Sequence, residues 1–269
     1  MIRSAMSTCK SDFLGLPLDH VTMDQAVLRF EQFVHDGLPR KVFCPNVALL
    51  VWARQQPELQ RIYHECDLLP ADGMAIYYAS RLLGDPIPEM VSGSLLFFRL
   101  LELSQAKGYR VYFLGTTQAI LEQAVSNLRR QYPGLQIAGY RNGFFRWEDA
   151  PGIAEEIRGS RPDFLFVGMS TPLKERFVDV YQQVMKVPVS LGVGGSFDIA
   201  AGVYKFAPNW MRVLALEWLY RLIQEPRRMW RRYLTTNSVF LYLVAKAFVR
   251  RLIYSHSRPS RRPLESRTR

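Results

Sequence analysis

Asp72 is the residue of this sequence whose type and position are best suited to acid–base chemistry. It follows an apolar run that ends at Pro70, and Gly73 and a helix-like segment at 74–83 come next. A carboxylate between a buried strand and a helix lies where open α/β sheets bind their ligands, and it can act as a general base. Aspartate is also a preferred helix N-cap. The local sequence leaves both interpretations open.

Glycine turns at the ends of predicted strands are the second group of candidates. They lie at Gly115, Gly168 and residues 192–195. Glycine lets the backbone approach a phosphate closely, and helix N-termini attract anions. None of the turns has the spacing of a dinucleotide-binding or Walker loop, and tight turns explain each one alone. Together with Asp72 they suggest a nucleotide-diphosphate site along one edge of a sheet.

An alternation of short apolar strands with amphipathic helices would position these residues. This pattern predicts an α/β fold with a largely parallel sheet and helices on both faces. Asn46 and Ser94 stand at predicted helix starts, where they are typical N-caps. The predicted strands after an N-terminal hairpin span residues 42–44, 110–114, 135–139, 164–168 and 187–192.

The positive charge is concentrated in the last quarter of the chain. Residues 205–269 hold 15 of the 35 Lys and Arg residues but 3 of the 24 Asp and Glu residues. We therefore expect an α/β body at 1–204, a basic amphipathic appendage at 205–254 and a disordered basic tail at 255–269. A near-neutral body with a basic appendage predicts a polyanionic partner, either an anionic membrane surface or a nucleic acid.

An apolar helix predicted at 238–254 favours the membrane over the nucleic acid. Its apolar part is too short to span a bilayer, but it suits burial at the headgroup boundary. The alternative is that this helix packs on the core of the body. The polar N-terminus shows no signal peptide, and three scattered cysteines predict neither disulfides nor a metal site. We therefore expect a cytoplasmic protein without metal or cofactor.

The motifs of this chain resemble those of the WecG/TagA/CpsF family of bacterial glycosyltransferases (glycosyltransferase family 26) over residues 13–233. Shared pieces include Ala-Asp-Gly at 71–73 and Val-Ser-Gly at 91–93. The most specific pieces are Gly-Val-Gly-Gly-Ser-Phe-Asp at 192–198, Glu-Trp-Leu-Tyr-Arg at 217–221 and Glu-Pro-Arg-Arg at 225–228.

The resemblance implies a Rossmann-like body with an appendage that docks on the cytoplasmic face of the bacterial inner membrane. It implies transfer of a hexose or N-acetylhexosamine from a UDP-sugar to a polyprenyl-diphosphate-linked acceptor, in the biosynthesis of cell-surface polysaccharides such as exopolysaccharide. The transfer would invert the anomeric centre and need no metal. A homo-oligomer is possible, and no nucleic-acid partner is expected.

By position, the resemblance assigns the catalytic base to Asp72 and a contact with the ribose hydroxyls to Asp198. It places arginines for the lipid diphosphate or the membrane at Arg221, Arg228 and Arg231. The remaining substrate-binding candidates are Asn46, Gly93, Gly115, Phe144, Lys174, Glu175, Gly194 and Gly195.

Five positions depart from the family pattern, and they leave alternatives open. Met90 and Phe206 replace arginines, which argues against an acidic donor sugar and leaves UDP-glucose and N-acetylated donors open. A non-catalytic scaffold that binds a nucleotide-sugar or a membrane is the second hypothesis, and a nucleic-acid-binding module is the third. The departures are Cys44, Met90, Leu95, Lys174 and Phe206.

Overall fold

The structure is a computed structural model that describes residues 9–208, 210–211 and 216–256. Most of the tail predicted to be disordered, residues 257–269, lies outside the described residues. The described chain forms an α/β body followed by two C-terminal helices.

A five-stranded parallel sheet is the centre of the body, as the alternating pattern predicted. Its order is β3-β7-β6-β4-β5, and a separate antiparallel hairpin, β1-β2, precedes it. The strands are β1 (Lys10–Phe13), β2 (Leu16–Asp19), β3 (Arg40–Phe43), β4 (Arg110–Gly115), β5 (Gln136–Arg141), β6 (Phe164–Gly168) and β7 (Val189–Gly192).

Helices cover both faces of this sheet. The predicted capping box is confirmed, since Thr22 and Gln25 bond reciprocally at the start of the first helix. The helices are α1 (Met23–Asp36), α2 (Val47–Gln55), α3 (Pro57–His64), α4 (Met74–Leu82), α5 (Gly93–Lys107), α6 (Gln118–Gln131), α7 (Ala150–Ser160), α8 (Leu173–Met185), α9 (Ser196–Ala200), α10 (Glu217–Gln224) and α11 (Pro226–His256).

Alternate residues of the central strands enter two separate hydrophobic clusters. Tyr112 and Leu114 of β4 belong to the cluster beneath α2, α3, α7 and α8. Val111 and Phe113 belong to the cluster beneath α1, α5 and α6. Because successive side chains of a strand point to opposite faces, a sheet covered on both sides needs continuous apolar strands. This requirement explains the unbroken apolar runs of the sequence.

The topological switch point of the sheet lies between β4 and β6. The chain leaves β4 towards β5 on one side and leaves β6 towards β7 on the other. Open α/β sheets commonly bind ligands at such a point. Here, however, a Cβ atom on Gly115 would lie 2.5 Å from the backbone of Gly168. The two strand ends are packed together, and the open space lies over β6, β7 and β3 instead.

The helix predicted at 238–254 is the C-terminal half of a longer helix. α11 begins at Pro226, and two of its residues, Phe240 and Val244, are buried in the core of the body. Its opposite face exposes Leu241, Tyr242 and further apolar residues. The core-packing alternative thus applies to one face only. Within the ranges that the structure describes, no helix is long and apolar enough to cross a membrane.

Candidate active site

The backbone around Asp72 brings its carboxylate to the carboxyl edge of the sheet. The preceding residues do not form a regular strand, because Leu68 and Pro70 make only isolated parallel bridges to Val42 and Asp19. The Leu69 N–H donates to the buried Asp19 carboxylate at 2.7 Å, and the Asp72 N–H donates to the Pro45 carbonyl at 3.0 Å. These bonds hold Asp72 beside the end of β3.

Asp72 does not cap the helix that follows it. Gly73 is the N-cap of α4, with φ +106° and no side-chain capping bond. The Asp72 Oδ2 atom instead accepts a bond of 3.4 Å from the Gly93 N–H, at the start of α5. The interpretation of Asp72 as a cap of its own helix is therefore wrong. Ser94 is not an N-cap either, because that position belongs to Ser92.

The surroundings of Asp72 give it an unusual protonation equilibrium. Burial raises the pKa of its carboxyl from 3.8 to about 6, and Glu217 adds to the increase. Arg221 and the Gly93 N–H act in the opposite direction. A general base is most effective when its pKa lies near the working pH. Asp72 is thus mainly ionised at neutral pH and still able to take up a proton.

One cavity of about 540 Å³, the polar cavity, lies over the carboxyl ends of β3, β6 and β7. Its floor contains the glycine turn at 192–195, and Lys174 and Asp198 contribute charged groups. Of the sequence-derived candidates, the structure brings together here Asp72, Asn46, Gly93, Lys174, Gly194, Gly195, Asp198 and Arg221.

A second cavity of about 500 Å³, the apolar cavity, lies between α2, α4, α10 and α11. Its walls are mainly aliphatic and aromatic, with Tyr78, Trp218 and Phe240 among the larger side chains. Among the described residues, five line both cavities and form the junction between them: Asn46, Asp72, Glu217, Arg221 and Arg232.

Lys174 is held in the polar cavity by a buried ion pair with Glu175. The Lys174 Nζ atom lies 2.5 Å from Glu175 Oε1 and also bonds the Thr171 hydroxyl. The same oxygen accepts from Tyr63 OH at 2.9 Å. Burial lowers the pKa of Lys174, Arg232 adds to that decrease, and Glu175 opposes it. Glu175 therefore supports Lys174 from outside the cavity.

Arg232 is a junction residue that sequence reasoning missed. Its guanidinium donates to Asn46 Oδ1 at 3.5 Å and lies 5.0 Å from the centre of the Trp52 ring. The buried positions Met229, Thr236 and Phe240 share the inward face of α11 with it. Their spacing of three or four residues was a signal that could have identified Arg232.

Comparison of the sequence with known proteins shows the family of the chain. The sequence model described as "Glycosyl transferase WecG/TagA/CpsF family" matches residues 11–253. The chain belongs to this family of glycosyltransferases. A relative from Bacillus spizizenii, named N-acetylglucosaminyldiphosphoundecaprenol N-acetyl-beta-D-mannosaminyltransferase, is 33% identical over 211 residues, covering 78% of this chain and 77% of the relative. A Staphylococcus aureus (strain MW2) protein of the same name is 29% identical over 248 residues, covering 91% of this chain and 96% of the relative.

Four further candidates derived from the family resemblance lie outside both cavities. Gly115 is packed against Gly168, and Glu175 is buried behind Lys174. The Phe144 side chain is 76% exposed. Arg231 points outwards, with its guanidinium 5.3 Å from the Trp230 ring centre. Arg228 is part of α11, but its side chain lies outside the described residues.

Three departures from the family pattern line the polar cavity, Lys174 and two uncharged residues, Cys44 and Phe206. Cys44 is buried beside Gly93, and burial together with Asp72 raises the pKa of its thiol. Phe206 packs on Phe98, with 5.6 Å between the ring centres. Neither residue brings a positive charge to the cavity. In the part of the chain that the structure describes, no group of three or more His, Cys, Asp or Glu side chains could hold a metal ion.

Proposed function

We propose that this chain transfers a neutral sugar, N-acetylmannosamine in the first instance, from its UDP derivative to a polyprenyl-diphosphate-linked N-acetylglucosamine. The transfer inverts the anomeric centre and uses no metal. The observation that supports this proposal most directly is the place of Asp72, whose carboxylate lies where the polar and the apolar cavity meet. A donor and an amphiphilic acceptor bound in the two cavities would meet at this carboxylate.

Asp72 acts as the base in this proposal. It takes the proton of the attacking acceptor hydroxyl, whose oxygen forms a bond to the anomeric carbon. The bond from that carbon to the UDP oxygen breaks, and UDP leaves with the electron pair. A single displacement of this kind inverts the configuration. A positioned carboxylate with a pKa of about 6 suits proton transfer near neutral pH.

Cations and backbone amides of the polar cavity stabilise the leaving diphosphate. Lys174 and Arg232 line this cavity, as do the backbones of Gly194 and Gly195. Positive groups fixed where negative charge develops lower the barrier without reorganisation. They supply the stabilisation that a divalent cation gives in other transferases. Asp198 lines the same cavity and would accept bonds from the ribose hydroxyls.

The uncharged residue at position 206 favours a neutral donor sugar over a uronic acid. Phe206 lines the wall where the family pattern leads one to expect an arginine. The relatives from Bacillus spizizenii and Staphylococcus aureus are named for the transfer of N-acetylmannosamine. We therefore rank UDP-N-acetylmannosamine first and UDP-glucose second.

The outward face of α11 would hold the enzyme at the membrane that contains its acceptor. Leu241, Tyr242, Val249 and Ile253 are exposed on this helix, and the Lys246 ammonium lies 5.9 Å from the centre of the Tyr242 ring. An exposed apolar face with basic residues suits binding at an anionic bilayer surface. We propose that this surface is the cytoplasmic face of the inner membrane. Self-association of the chain stays a prediction.

The test is transfer by wild type and Asp72→Asn, with Asp149→Asn as a control at an exposed carboxylate. We expect Asp72→Asn to lose about 10²- to 10⁴-fold in kcat, the usual contribution of a general base. Its affinity for UDP should stay close to that of wild type. Transfer at wild-type rate by Asp72→Asn would contradict the role of Asp72. If the wild-type protein binds UDP but transfers no sugar from any donor of a UDP-sugar panel, that result would favour the scaffold hypothesis.

A further inference from the structure

The apolar cavity is built mainly from side chains that offer a ligand no charge. Away from the junction, its walls come from Met74 and Tyr78 of α4, Trp218 of α10, and Phe240 and Val244 of α11. A volume of about 500 Å³ lies within the usual range of ligand sites, about 300–1,000 Å³. Donor binding and proton transfer, as proposed above, take place in the polar cavity and at the junction. They leave open which part of the acceptor the apolar cavity binds.

Helix α11 closes this cavity by folding back over α4. Phe240 and Val244 anchor it in the core of the body. About two turns further on, Arg251 donates a bond of 3.0 Å to the Leu82 carbonyl, at the end of α4. The wall is thus held both by apolar burial and by a bond to a helix end. The cavity is part of the folded structure.

The two ends of the cavity differ in chemistry. At the junction end lie Arg221 and Arg232, beside Asp72. At the other end Leu241 lines the cavity although 66% of its side chain is exposed, so the cavity reaches the outer surface of α11. A ligand with a negatively charged head and a single apolar chain would match this order. The apolar chain of such a ligand would enter from the outward face of α11, which we propose to lie on the membrane.

We propose that the apolar cavity binds the isoprene units next to the diphosphate of the acceptor, with the diphosphate at Arg221. This inference rests on the proposed function and extends it to the lipid part of the acceptor. The sugar would then lie at the junction, beside Asp72. A two-chain phospholipid matches this shape less well, because one undivided cavity would have to take both of its diverging acyl chains.

Binding of farnesyl diphosphate to the full chain, measured by calorimetry without vesicles, tests this proposal. Burial of a prenyl chain should make farnesyl diphosphate bind at least about tenfold more tightly than inorganic pyrophosphate. Dihexanoyl phosphatidic acid, whose two short chains diverge from one glycerol, should bind more weakly than farnesyl diphosphate. Equal affinities for farnesyl diphosphate and pyrophosphate would overturn the proposal, and tight binding of phosphatidic acid would replace it with a phospholipid site.

Two pairs of variants test where the prenyl chain of farnesyl diphosphate binds. Leu241 and Leu234 are 66% and 63% exposed on the same helix, but only Leu241 is among the residues that line the cavity. Leu241→Gln should weaken farnesyl diphosphate binding about fivefold or more, since it places a polar group against the chain. Leu234→Gln should change it less than about twofold, because surface substitutions usually have small effects. Pyrophosphate binding should be the same in both variants.

The second pair fills the cavity instead of changing its polarity. Ala75 lines the cavity at an exposed position of α4, whereas Ala106 is exposed on α5, near the opposite edge of the sheet. Ala75→Phe should weaken farnesyl diphosphate binding, and Ala106→Phe should not. Wild-type binding by both Leu241→Gln and Ala75→Phe would overturn the proposal. None of these measurements requires sugar transfer, so their failure would leave the proposed function untouched.

Discussion

Arg232 donates to Asn46 Oδ1 at 3.5 Å, although 186 positions separate the two residues. The same oxygen caps α2, because it accepts from the N–H groups of Ala48 and Leu49. The C-terminal appendage therefore meets the body at a helix N-terminus on the carboxyl edge of the sheet. This contact makes α11 a wall of the candidate active site in the same chain.

Arg232 should matter more for transfer than Arg231, its neighbour in the sequence. Arg232 lines the polar cavity and lies between Asn46 and Trp52, whereas Arg231 points outwards. We expect Arg232→Ala to lower kcat/KM about 10²-fold, the effect of removing one fixed donor to a developing charge. The factor by which Arg231→Ala lowers kcat/KM should be at least about tenfold smaller. Steady-state kinetics with a short-chain, soluble acceptor would separate this effect from membrane binding.

Arg232→Lys provides a further control for that comparison. Lysine keeps the charge but cannot reproduce the planar guanidinium over Trp52. Partial activity in Arg232→Lys would show that charge and position both contribute. If Arg231→Ala were the more damaging change, the outward residue would be the functional one and the assignment of Arg232 would be wrong.

Asp72 should reduce stability while it supports activity. The folded carboxyl keeps its proton up to about pH 6, whereas the usual pKa of 3.8 applies in the unfolded chain. The free energy of unfolding therefore falls as the pH rises from about 4 to 6, and the loss persists above that window. This difference between the pKa values of the folded and the unfolded chain lowers the free energy of unfolding by about 2–3 kcal/mol. Asp72→Asn should recover about 1–3 kcal/mol at pH 8 and almost nothing at pH 4.

Urea denaturation at the two pH values measures this effect, with Asp149→Asn as the exposed control. In wild type, kcat/KM should rise with pH to a plateau, with its midpoint near the pKa of Asp72, about 6. If Asp72→Asn were less stable than wild type at pH 8, the buried Asp72 carboxylate would not lower the free energy of unfolding, and this prediction would be wrong.

Glu175 should contribute mainly to stability. Glu175→Ala would leave the buried Lys174 ammonium without its carboxylate and the Tyr63 hydroxyl without its acceptor. Breaking a buried ion pair in this way costs about 3 kcal/mol or more. The matched change Glu155→Ala breaks an exposed pair with Arg158 and should cost less than about 1 kcal/mol. Similar urea midpoints for the two variants would rule out the supporting role of Glu175.

The outward face of α11 should determine vesicle binding. Val249 and Ile253 are 52% and 59% exposed on this face, and Leu28 and Val180, on α1 and α8, are similarly exposed. Val249→Glu with Ile253→Glu should weaken co-sedimentation with phosphatidylglycerol vesicles at least about tenfold, through lost apolar burial and charge repulsion. Leu28→Glu with Val180→Glu adds the same charge elsewhere and should bind as wild type does. Equal loss in both variants would indicate an effect of net charge alone.

The sequence determined the class of the fold and the family of this protein. Strands that are buried on both faces must be apolar throughout, and helices on a sheet must be amphipathic, so the pattern of 110–192 can hardly form another architecture. Asp72, the glycine turn at 192–195 and the segregation of charge are likewise visible in the order of residues. These features depend on local spacing, and local spacing is what a sequence displays directly.

The tertiary structure decided how these features combine. Asp72 contacts the start of α5 and not its own helix, because isolated bridges to distant residues orient its backbone. The switch point at Gly115 is closed by the backbone of Gly168, which no local pattern reveals. Arg232 joins the junction because α11 folds back over α2 and α4. Contacts between residues far apart in the chain depend on packing the whole core, and for that reason only the folded structure shows that Asp72 lies between two cavities.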